Sequence, residues 1–95
     1  MALTIKWTLQ ANKGLGKVIE YLEIYWTKNE ILQLETKINQ VTNLISKYPE
    51  LFPKSETYND LRKVIIDKNN YLVYRIKLDS IEIINFRGTK QKPKY

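Results

Sequence analysis

Arg62, Arg75 and Arg87 are the arginines of this 95-residue chain, all in its last third and each inside a short apolar run of β type. From Arg87 the sequence ends RGTKQKPKY, where Arg87, Lys90, Lys92 and Lys94 meet no offsetting acid and Tyr95 adds a terminal aromatic hydroxyl. Guanidinium groups on strands, followed by a cationic tail, suit a surface that meets an anion, either nucleic acid or an acidic protein segment.

The totals agree with that reading, and the distribution sharpens it. Sixteen Lys and Arg against 10 Asp and Glu give a net charge of +6 and a pI near 9.5. Residues 1–48 carry only six Lys and four Glu, so most of the excess lies in the C-terminal half. With no Cys there is no disulfide framework or thiolate metal site, and with no His the commonest metal ligand and general base are missing too. No metal and no cofactor are expected. The N-terminus does not resemble a signal peptide, and no apolar run approaches the ~18 residues that cross a bilayer, so a cytoplasmic protein without a membrane partner is expected.

The elements that must position the cations follow from hydrophobic period. Leu3, Ile5 and Trp7 alternate with polar residues, as in a short half-buried strand. Ala11, Leu15, Val18, Ile19, Leu22, Tyr25 and Trp26 then recur at three and four, the stripe of a helix capped by Thr8 or a neighbour and running to about Trp26. Gly14 and Gly16 interrupt this helix at a cost of about 1 kcal/mol each, implying frayed first turns or another backbone packed close by. Thr27-Lys28-Asn29-Glu30 fits a capping box ahead of a second stripe, Ile31, Leu34, Ile38, Val41, Ile45 and Tyr48, stopped by Pro49. The short junction predicts an antiparallel helical hairpin.

PELFPKSETYND, residues 49–60, reads as a connector with Leu51 and Phe52 turned inward. Three strand-like runs follow, Leu61 to Ile66, Tyr71 to Leu78 and Ser80 to Arg87, with breaks short enough for a meander. The expected fold is α+β with the order βααβββ: one domain over residues 1–95, its helical hairpin on one face of a small antiparallel sheet and residues 88–95 a basic tail. The first strand should join that sheet. The far sheet face is left to Arg62, Arg75 and Arg87. Trp7 and Trp26 read as packing residues, and at least one of Tyr71 and Tyr74 as lining the core.

This order, with WTLQANKGLGKVIEYLE opening the first helix, YPELFPKSE after the second, then LRKVIIDKNNYLVYRI and IEIINFRGTKQKP, resembles the RelE/ParE superfamily of toxins from type II toxin-antitoxin modules. The plasmid stabilisation branch is the most similar, and Asn69 to Ile76 and Arg87 to Pro93 carry the likeness. The resemblance implies a small basic toxin that arrests growth when freed from a cognate antitoxin, with which it forms a hetero-oligomer.

Two target classes are implied. RelE-like members cleave messenger RNA on the ribosome without metal, which here would need Arg62 and Lys63 for phosphate charge, Arg87 and Lys90 as clamps, and Tyr95 for stacking or proton transfer. Tyr71 stands where such nucleases carry an arginine before Leu-Val-Tyr. ParE-like members act on DNA gyrase and are not nucleases; they carry an arginine after that tyrosine, as in Tyr74-Arg75-Ile76. Lys90-Gln91-Lys92-Pro93 replaces their Arg-Gln-x-Pro ending and keeps the charge without the two-pronged donor. The ParE-like reading is therefore preferred, with Arg62, Arg75, Arg87, Lys90, Lys92 and Lys94 as target- or anion-binding residues. A non-toxic nucleic-acid-binding module is the further alternative. Strand cations such as Arg62, Lys63 and Arg75 also have a plain reading as guards of a sheet edge.

Overall fold

The computed structural model describes residues 2–57 and 60–88. Its elements are β1 (Thr4–Trp7), α1 (Leu9–Tyr25), α2 (Lys28–Lys47), β2 (Arg62–Asp67), β3 (Asn70–Ile76) and β4 (Ser80–Gly88), the expected βααβββ order. They form an α+β fold, two helices on a four-stranded sheet ordered β1-β4-β3-β2.

Both helix starts use the predicted caps. Thr8 Oγ1 accepts from the Ala11 N–H at 3.1 Å and shares its own proton between the carbonyls of Ile83 and Ile84, each at 3.0 Å. One threonine thus begins α1 and fastens it to β4. At α2 the Thr27 N–H donates to Glu30 Oε1 at 3.1 Å, closing the capping box. Trp26 and Thr27 alone separate the two helices.

The two glycines of α1 have different explanations. A Cβ on Gly14 would lie 2.1 Å from the Phe86 carbonyl oxygen, whereas one on Gly16 would meet nothing within 4 Å. Gly14 is therefore where α1 crosses the backbone of β4, and no side chain fits between them. Gly16 has no such neighbour.

β2, β3 and β4 form the predicted antiparallel meander. The first strand joins the sheet but runs parallel to β4, pairing Thr4 with Ser80 through Trp7 with Ile83. The sheet is thus mixed, a correction to the antiparallel expectation. The helical hairpin and two strands intervene between β1 and β4, ample chain for the crossover a parallel pair needs.

Val64, Leu72, Tyr74, Ile81, Ile83 and Phe86 on the sheet meet Ala11, Val18, Leu34, Ile38 and Ile45 on the helices in one core. Trp7 packs toward this core, its ring 6.3 Å from that of Phe86. Trp26 does not: it caps α1 at the hairpin tip and is 46% exposed. Phe52 turns inward as expected, while Leu51 is exposed.

Candidate functional site

Strand parity decides which cations share a surface. On β3, Leu72, Tyr74 and Ile76 point to the helices, so Tyr71, Val73 and Arg75 point away. On β4 the register slips between Val73 and Tyr74, which face Asn85 and Ile83 and leave Ile84 as the extra residue of a bulge. The bulge resets the alternation. Ile83 and Phe86, three apart, both face the helices, and Arg87 is turned to the open side opposite Tyr71. The spacing of Ile81, Ile83 and Phe86 was the signal for this bulge in the sequence.

Across the open face, Ile65, Tyr71 and Arg87 form one row, Lys63, Val73 and Asn85 the next, and Arg75, Glu82 and Lys6 a third. Lys63 Nζ lies 4.4 Å from the Tyr71 ring centroid, a cation–π contact. Tyr71 is therefore bracketed by Lys63 and Arg87. Arg75 is differently placed. Its Nε is 3.1 Å from Asp60 Oδ2, and one terminal nitrogen is 3.7 Å from Glu82 Oε1. Nε makes no aligned hydrogen bond, so these are Coulomb contacts between partly exposed groups.

Arg62 does not belong to this face. In register with Tyr74, it lies on the helix-facing row of β2, and its Nη1 donates to the Phe52 carbonyl at 2.7 Å. Beside it the fully buried Tyr74 donates its hydroxyl to the Pro49 carbonyl at 2.6 Å. Burial raises the Tyr74 phenol above its ordinary value, opposed in part by the Arg62 charge and the Phe52 backbone. The pair holds the connector after α2 against the sheet. The expected grouping of Arg62, Arg75 and Arg87 on one face is thus corrected, since Arg62 has the opposite parity. Tyr74 is the core-lining tyrosine and Tyr71 the half-exposed one.

Two surface hollows flank this arrangement. One, of about 710 Å³, lies between the hairpin tip and the β2–β3 turn, where Val18, Leu22, Trp26 and Leu34 give it an apolar floor. The other, of about 510 Å³, runs between α1 and the last residues of β4, and it adds Lys13 and Lys17 to Arg87. Lys6, Lys13, Lys17 and Tyr71 were not foreseen as site residues. Lys13 and Lys17, four apart on a helix, carried a signal: they share one flank.

Lys90, Lys92, Lys94 and Tyr95 lie outside the described residues. Among the described residues no group of three or more His, Cys, Asp or Glu is placed to hold a metal, and no helix is long and apolar enough to cross a membrane.

Comparison with known proteins extends these observations. A solved YoeB/ParE toxin from Agrobacterium tumefaciens is similar at 18% identity and a TM-score of 0.64, covering 90% of this chain and 98% of that one. The YoeB dimer from Staphylococcus aureus is similar at 19% identity and 0.64, covering 92% and 97%. The E. coli DinJ-YafQ toxin-antitoxin complex holds a chain similar at 12% identity and 0.60, covering 93% of each. At such identities the likeness carries the fold alone. A search of curated protein sequences found no match. The family profile described as the ParE toxin of the type II toxin-antitoxin system, parDE, matches residues 5–93. The chain therefore belongs to the ParE toxins of type II toxin-antitoxin systems, within the RelE/ParE superfamily.

Proposed function

We propose that this toxin arrests growth by acting on DNA gyrase and is not itself a nuclease. The observation that carries this reading is the opposite parity of Arg62 and Lys63. These neighbours on β2 were the two cations available there for phosphate charge, and Arg62 is spent on the Phe52 carbonyl on the helix side. A phosphorane needs its charge answered from converging donors, and cations on opposite sides of a sheet do not converge. Tyr71 stands where message-cleaving relatives are expected to carry an arginine. Tyr74-Arg75-Ile76 keeps the ParE-like pattern and presents Arg75 on the open face.

Arg75, Arg87, Lys90, Lys92 and Lys94 are then the target-contacting groups. A cognate antitoxin restrains the protein by laying an apolar segment into the hollow floored by Val18, Leu22, Trp26 and Leu34 and meeting the open-face cations with carboxylates. The DinJ-YafQ toxin-antitoxin complex, which holds a chain of this fold, supports such a partner.

One observation favours the alternative, cleavage of ribosome-bound message: Lys63 and Arg87 bracket Tyr71 on a single face, a cation-aromatic cluster that suits RNA. The two readings part in a direct comparison of purified toxin in translating extracts and in reactions of gyrase with plasmid. Gyrase-dependent DNA breaks with intact message are expected, and cut message without DNA breaks overturns the proposal. Replacing Lys90, Lys92 and Lys94 together with Gln is expected to abolish growth arrest at an unchanged Tm, since solvated charges contribute little to folding. An unaffected arrest would remove the tail from the site.

A further inference from the structure

The hollow between α1 and the end of β4 stands outside the open sheet face and its charge is one-sided. Lys13, Lys17 and Gln10 line it from the helix and the edge of β4 from Asn85 to Gly88 closes it, with the open-face residue Arg87 at its rim, and no Asp or Glu lines it. The apolar hollow at the hairpin tip, by contrast, includes Glu30 and Asp67. Among the described residues, the ion pairs are those of Arg75 with Asp60 and Glu82, so Lys13, Lys17 and Arg87 have no carboxylate partner. Two lysines on the helix flank, with Arg87 at the rim where the groove meets the open face, thus leave it positively charged with no carboxylate partner among the described residues.

The backbone explains why this groove exists. β1 pairs with β4 only as far as Trp7 and Ile83, so among the described residues the stretch from Asn85 to Gly88 has no strand on that side. α1 is its neighbour instead, pressed down at Gly14 against Phe86. A strand edge and a helix flank therefore run side by side with a trough between them. Lys13 and Lys17 are one turn apart, about 6 Å along the helix axis, so both ammonium groups lie on the flank of α1 that borders the trough.

We propose that this groove seats the sugar-phosphate backbone of duplex DNA. Charge complementarity favours a polyanion, and among the described residues that line the groove neither aromatic ring offers a stacking face, which argues for a paired duplex. Single strands are held largely by stacking their bases on exposed rings. Here Phe86 is buried and Tyr21 is packed against Tyr25 at 4.9 Å between centroids. Contacts to phosphate alone position a protein on DNA without reading its sequence. The proposal does not depend on which target the toxin arrests, because it concerns a contact made by the free protein.

The test is fluorescence polarisation of purified full-length toxin with a short labelled duplex over a range of salt concentrations. Lys13→Gln/Lys17→Gln is compared with Lys28→Gln/Lys47→Gln, which removes the same charge from the ends of α2, and unchanged Tm values establish that both fold. The groove variant is expected to bind roughly tenfold more weakly at moderate salt and to lower the log–log salt slope by about two, while the control binds as wild type. Equal weakening in both variants means diffuse attraction and overturns the proposal. So does absence of duplex binding at low salt, or tighter binding by single-stranded RNA or polyglutamate of matched length.

Discussion

Tyr71 and Tyr74 lie on one strand and lead opposite lives. Tyr74 is sealed under the helices with its hydroxyl on the Pro49 carbonyl, and Tyr71 lies half-exposed beneath the Lys63 ammonium. Arg62 and Arg75 repeat the contrast, one committed to the Phe52 carbonyl and the other held by carboxylates on the open face. Gly14 and Gly16 repeat it on α1, one against the backbone of β4 and one against nothing. Three pairs of identical residues are thus divided by a single geometric rule, the side of the sheet or helix on which each falls. On the packed side a polar group satisfies a neighbour and stabilises the fold. On the open side the same group is left partly exposed, with only weak surface contacts.

The largest effect that could break this contrast is at Gly14. Gly14→Ala is expected to lower stability by about 3 kcal/mol, the upper range for overpacking, because the obstructing atom is a strand carbonyl that cannot rotate away. Gly16→Ala should instead raise stability by about 1 kcal/mol through helix propensity. Urea unfolding of the two variants measures both, and equal shifts of one sign would undo the distinction. Next in size is Arg62→Met, expected to cost about 2 kcal/mol for a lost charge-assisted hydrogen bond. If growth arrest falls in this variant with stability intact, Arg62 contacts the target and the packed side is not purely structural.

Tyr74→Phe removes one hydroxyl and should cost about 1 kcal/mol at neutral pH. Its pH dependence follows from the raised phenol. A phenol whose folded value lies above its ordinary 10.0 stabilises the fold while protonated, fully so below that ordinary value, and loses this contribution as pH rises through the folded value. The stability gap between wild type and Tyr74→Phe should therefore shrink above about pH 10. Denaturant titrations of both proteins at neutral and alkaline pH check it. A gap that stays constant would mean that Tyr74 titrates as an exposed tyrosine does.

The elements of this fold could be read from hydrophobic period because both helices and three of the strands bury one side only. Thr8 and the Thr27–Glu30 box marked the helix starts for the same local reason, a side chain that answers a free backbone amide. What period could not carry was parity past a bulge. A single inserted residue, Ile84, turns Arg87 to the open face, and nothing local announces it beyond the spacing of Ile83 and Phe86. The side taken by Arg62 was hidden differently, since a cation at a strand start reads as exposed until a carbonyl from a distant connector reaches it. The direction of β1 was likewise beyond local signals, being set by tertiary crossover. The cationic groove was missed because Lys13 and Lys17 are far from Arg87 in sequence and are joined to it only by the crossing at Gly14.

The smallest expected stability effect is also the most informative about function. Arg75 sits among Asp60 and Glu82 with 38% of its side chain exposed, and its partners are 68% and 31% exposed. Exposed pairs of this kind contribute at most about 1 kcal/mol, so Arg75→Gln should shift Tm by only a few degrees. Its function should respond out of proportion. Removing the guanidinium leaves two carboxylates on the surface where the target is expected to dock, so growth arrest on induced expression should be lost while the protein remains folded. Arg62→Met provides the counterpart, with stability lost first and toxicity following only as the folded population falls. Should Arg75→Gln melt as early as Arg62→Met, the two faces would not differ in kind, and the ion pairs around Arg75 would belong to the scaffold.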